Sequence, residues 1–123
     1  MRLMALVLAA GLLLPVPVSS QTGTVPALFS TSGNELFRSC TDGFATSRSL
    51  CNGYVAGVAD TIEAMNSWGV TTTVCLQEHV SNEQIKDIVT QYLTAHPETR
   101  HLGAAGLVVH ALHNAFPCKE QAH

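Results

Sequence analysis

This sequence predicts an all-α fold, a compact bundle of about four helices stapled by two disulfides, and three observations carry that expectation. Apolar residues recur at intervals of three, four and seven within separate stretches, the spacing that aligns one face of a helix. Cap residues open those stretches, and glycine or proline closes them. Four cysteines all lie beyond an apolar leader, and an even set of cysteines in an exported chain is expected as disulfides.

The leader is Arg2, a nearly unbroken apolar run over 3–14, then Pro15, Pro17, Ser19 and Ser20. That is the layout of a secretory signal peptide over 1–20, with cleavage near Ser20. A membrane helix needs about 20 uninterrupted apolar residues, and Pro15 breaks this run. The first cysteine, Cys40, stands too far on for a lipid-anchored version of the signal. Removing 20 of the 123 residues leaves 103, one domain near the lower end of the usual size range. Five basic residues, Arg38, Arg48, Lys86, Arg100 and Lys119, then face nine acidic ones, a net charge of −4. Nucleic acid is excluded as a partner, since its phosphates demand a basic face. The mature chain is expected to be soluble, with no membrane association.

Residues 21–32 have neither a helical nor an alternating period and read as a flexible N-terminal arm. Asn34 is expected to cap a short first helix over 35–40, its Glu35 lying in the first turn where the helix dipole favours an acid. Thr41, Asp42 and Gly43 end it. A second, longer helix opens at Thr46 or Ser47 and buries a stripe of Cys51, Tyr54, Val55, Val58, Ile62 and Met65. Gly53 and Gly57 sit four apart on it, and each costs about 1 kcal/mol of helix propensity relative to alanine. With Tyr54 they are the expected helix-packing positions, where the backbone of another segment, or of a second copy, approaches closely.

Residues 66–74 carry a glycine and a β-branched run and read as a loop that Cys75 closes. Ser81, with Gln84 three residues on, gives a capping box for the third helix, whose stripe is Ile85, Ile88, Val89, Tyr92 and Leu93. Pro97 either stops that helix or starts the next. The last helix is expected from Thr99 or His101 to Ala115. Its centre over 102–109 is apolar on nearly every face, which predicts the central buried helix. Pro117 ends it, Cys118 follows, and 119–123 form a tail.

Little here points to catalysis. Six histidines raise the possibility of a metal, and His110 and His113 share a helix face, but a zinc site needs three or four ligands and no acid stands within two turns of them. They read as solvent-facing or singly hydrogen-bonded. The cysteine gaps match neither a redox motif nor a zinc knuckle, which leaves a structural role and three possible pairings. No Gly-x-Ser-x-Gly turn and no glycine-rich phosphate loop occurs, and Asp60 with Glu63 reads as a solvated helix edge. The expectation is a protein that is not an enzyme and holds no metal or cofactor. Trp68, the only tryptophan, either plugs the core from outside or stands exposed as a binding anchor with Asn66 and Ser67 beside it.

The segments Gly33-Asn34-Glu35-Leu36 through Cys40, Cys51-Asn52-Gly53-Tyr54 through Asp60, Cys75-Leu76, Tyr92-Leu93 with His96-Pro97-Glu98, and Ala111-Leu112 to Phe116-Pro117-Cys118 together resemble the Rap/Tai family of immunity proteins. The resemblance spans 33–118. It implies a small exported helical protein, commonly a homodimer, that protects a bacterium in its periplasm from peptidoglycan-cleaving amidase effectors delivered by type VI secretion. It also implies the pairs Cys40 with Cys51 and Cys75 with Cys118. The implied mechanism is occlusion, a rigid helical plug filling the substrate groove of the amidase, with the 66–74 loop contributing and the net negative charge suiting a basic groove. The alternatives are a periplasmic acid-stress chaperone or another small helical binding module, and a small enzyme built around His110 and His113.

Overall fold

The computed structural model describes residues 31–119. The expected signal peptide and most of the arm, 21–30, lie outside the described residues, as do 120–123. Four α-helices follow in order: α1 Gly33–Thr41, α2 Ala45–Ser67, α3 Asn82–Ala95 and α4 Ala104–Ala115, with a 3₁₀ turn at Pro97–Thr99 between the last two. The fold is all-α, and both disulfides form, Cys40 with Cys51 and Cys75 with Cys118.

Helix α1 begins earlier than expected because Ser32, not Asn34, is its cap. The Glu35 backbone N–H donates to Ser32 Oγ at 3.3 Å, and the Ser32 N–H donates to Glu35 Oε2 at 2.8 Å. This reciprocal box satisfies two donors that a helix start otherwise leaves bare. Ser32 and Thr31, assigned to the arm from sequence, already belong to the fold: the Thr31 carbonyl accepts from Ala104 N at 2.8 Å. Gly33 N and Asn34 N in turn donate to the carbonyls of Leu102 and Arg100 at 2.8 and 2.7 Å. The start of α1 is thus stitched to the segment entering α4.

That stitching is where a glycine is required. A Cβ on Gly33 would stand 2.9 Å from the Arg100 carbonyl oxygen and would run into Leu107. Gly53 and Gly57, expected to be the close approaches, have nothing within 4 Å of a Cβ and are exposed. Among the described residues no second backbone comes near them.

Helix α2 opens at Ala45, one residue before the earlier of the two expected starts, and runs to Ser67, two residues into the expected loop. Gly69 ends it in the left-handed region, φ 75°. Its N–H donates to the Asn66 carbonyl at 3.1 Å, and Val70 N–H donates to Met65 O at 2.9 Å, the two crossed bonds of a Schellman stop. Helix α3 starts on the expected box, Ser81 with Gln84. Pro97 lies just past the end of α3 and does not start α4. The helix stops at Ala95, and Pro97 heads the 3₁₀ turn. Arg100, just past that turn, sends Nε to the Leu93 carbonyl at 2.6 Å and lays its guanidinium 3.7 Å over the Phe37 ring, which caps α3 and ties it to α1. Because this segment hands its carbonyls to α1, α4 starts only at Ala104, later than expected.

The core is formed by Leu36 from α1, Cys51, Val55, Ala59 and Ile62 from α2, Ile85, Val89 and Leu93 from α3, and Ala104, Leu107, Val108, Ala111 and Leu112 from α4, with Val74 from the loop. Tyr54, Val58 and Met65, placed on the α2 stripe, are only half-buried. Helix α4 is not enclosed on all sides: Ala105 and Gly106 are exposed.

Candidate functional site

The α2–α3 connection presents the most exposed aromatic side chain among the described residues. Trp68 is 77 % exposed and Val70 45 %, so the tryptophan is not a plug on the core. The 66–74 segment contains no ionisable side chain, and its tip can enter a cleft without stripping water from a charge.

Beneath the tip the backbone is held from several directions. Asn66 Nδ2 donates to the Val74 carbonyl at 2.9 Å, while its Oδ1 accepts from Thr72 Oγ1 at 2.6 Å. Thr72 Oγ1 also lies 2.9 Å from the Val74 carbonyl. A bridge pairs Val74 with Pro117. Cys75 N–H donates to Phe116 O at 2.9 Å, Cys118 N–H donates to Thr73 O at 3.3 Å, and the Cys75–Cys118 disulfide locks the pair. From α4, His113 Nδ1 reaches the Thr73 carbonyl at 2.9 Å. Asn66 is therefore turned inward as a strut, whereas Trp68 faces solvent. Ser67 Oγ donates to the Ala64 carbonyl at 2.8 Å. The strut set escaped sequence reasoning because Asn66, Thr72 and His113 are far apart or bland in sequence. Only the β-branched run 70–74, unfit for helix, marked a shaped segment.

A second surface lies between α2 and α4. Gly53, Tyr54, Gly57, Val58, Met65, Ala105 and Val109 line an open, mostly apolar groove of about 560 Å³. Burial raises the Tyr54 phenol above its ordinary pKa, with a backbone hydrogen bond at Ala105 opposing that shift.

The other candidate chemistry is dispersed. Asp60, Glu63 and His110 are exposed. His96 Nδ1 pairs with Glu98 at 3.2 Å and stacks on Tyr92 with ring centres 4.4 Å apart, while His101 Nδ1 contacts the Glu98 carbonyl at 3.0 Å. The backbone N–H of Glu98 itself, with His96 beside it, holds the Glu98 carboxyl below the usual range. Among the described residues no group of three or more His, Cys, Asp or Glu side chains is placed to hold a metal ion. Among those residues, too, no helix is long and apolar enough to cross a membrane.

The family model for Rap1a immunity proteins matches residues 32–118, from the capping serine of α1 to the last cysteine. No curated protein and no solved structure matches the chain.

Proposed function

Since the chain belongs to the Rap1a immunity protein family, whose function is to neutralise a toxic effector, we propose that it is a periplasmic inhibitor of a type VI secreted peptidoglycan amidase. It is exported on the signal peptide over 1–20, and the two disulfides suit an oxidising compartment. The protein acts by occlusion and performs no reaction. The observation that carries this reading is an exposed tryptophan on an uncharged, braced loop. Large aromatic side chains at the centre of an interface contribute most of its binding energy, and a loop already held in shape loses little freedom on docking. The net negative charge of the mature chain favours encounter with a basic substrate groove.

A second copy completes the active form. The groove of Gly53, Gly57, Ala105 and Val109 is an apolar face flanked by small residues, and two such faces related by a two-fold axis bury each other. The two loops are then carried on one rigid body.

The test is inhibition of purified peptidoglycan amidase effectors of the type VI class. Trp68→Ala is expected to weaken inhibition at least tenfold, about 1.4 kcal/mol or more, without changing the circular dichroism of the chain. Unchanged inhibition removes the loop from the account.

A further inference from the structure

Under the 66–74 loop lies a hollow of about 300 Å³ whose apolar walls include Ile62, Met65, Val74 and Val109. A loop with an apolar tip and such a hollow beneath it is driven by burial to fold down onto it. Something must hold it out. The disulfide and the bridge at Val74 fix the loop's exit, and the Schellman stop fixes its entry. Between them, Asn66 and Thr72 brace the loop against itself. Among the described residues, the one side chain from another helix that the hydrogen bonds bring to this stretch is His113, from 40 residues away on α4.

We propose that His113 is the positioning residue of the loop: its imidazole N–H, donated to the Thr73 carbonyl, ties the loop to α4 and keeps Trp68 turned outward. A carbonyl oxygen only accepts, so the hydrogen sits on Nδ1 and the ring presents Nε2 away from the bond. Thr73 O already receives the Cys118 N–H at 3.3 Å, and the shorter histidine contact supplies its second, stronger bond. His113 is half-buried. Its role is geometric. The inference deepens the proposed function and rests on the loop being the effector-facing surface.

The experiment compares His113→Asn with His113→Leu in the full mature protein. The two side chains have nearly the same shape, and only asparagine keeps a donor near the position of Nδ1. Trp68 is the only tryptophan, so its time-resolved fluorescence anisotropy reports the loop alone. His113→Leu is expected to raise the fast-motion amplitude of Trp68 about twofold and to weaken inhibition of the amidase about tenfold, with His113→Asn returning most of both. Equal anisotropy in wild type, Asn and Leu variants overturns the proposal, whether or not inhibition changes. Loosening of Trp68 in the Leu variant, with inhibition indifferent to both His113→Leu and Trp68→Ala, upholds the positioning role and sinks the effector-facing reading instead. Should the Leu variant lose its fold, amide exchange at Cys118, whose N–H shares the Thr73 carbonyl with His113, decides in His113→Asn: protection kept at wild-type level supports the bond, and protection lost despite the retained amide refutes it.

Discussion

Two kinds of glycine in this chain have opposite physical roles. Gly33 is required by space, since the Arg100 carbonyl lies 2.9 Å from where its Cβ would be. Gly33→Ala is expected to destabilise the protein by about 1–3 kcal/mol through overpacking, read as a lower urea midpoint at unchanged slope. Gly57, on the exposed side of α2, meets nothing. Gly57→Ala is expected to stabilise the separated protomer by about 0.5–1 kcal/mol, the helix-propensity difference, and to weaken dimers sealed along that face. The close approach within the chain is at Gly33 and not at Gly53 and Gly57, because spacing alone says that two glycines share a face and not what that face meets. Gly33 was legible only through its neighbours: a glycine directly after a capping serine marks a helix start where another backbone can press in.

Among elements, the two helices with capping boxes are the ones whose starts are most firmly set. Ser81 with Gln84 marks the start of α3 in the sequence, whereas Ser32 with Glu35 has the same spacing but competes with Asn34, a good cap type two residues too late. Hydrogen bonds from the Ser32 backbone, then from its hydroxyl, hold the Glu35 carboxyl below its ordinary value of 4.5. A lowered native pKa means that this support for α1 is fully present above the ordinary value and is lost as pH falls through the lowered one. Amide exchange over 33–36 is therefore expected to accelerate on acidification below about pH 4.5. In Glu35→Gln, which keeps an acceptor and does not titrate, that acceleration is expected to vanish. Ser32→Ala is expected to cost about 1 kcal/mol at neutral pH. The end of α4 was legible through Pro117, but its start was not. The late start depends on α1 drawing the carbonyls of 100–102 toward itself, a contact some 70 residues away in sequence.

At the scale of the molecule, two cross-links compensate for a small core. Closing loops with sequence separations of 11 and 43 stabilises by about 3 and about 4 kcal/mol on the chain-entropy estimate, a large share of a small domain's net stability. The count of cysteines and the leader made disulfides legible, and the family resemblance gave the pairing that the structure contains. The helix number and the core stripes of α2 and α3 followed from periodicity. The open side of α4 did not, because an all-apolar segment reads as buried whether the surface that covers it belongs to its own chain or to another. That uncovered face and the braced Trp68 loop both fit an immunity protein that works by contact. The most direct measurement is a titration of purified mature protein into peptidoglycan digestion by type VI amidase effectors. Cleavage is expected to fall to zero as the ratio of protomer to amidase reaches one to one. Full cleavage at a large excess of correctly disulfide-bonded protein contradicts the account.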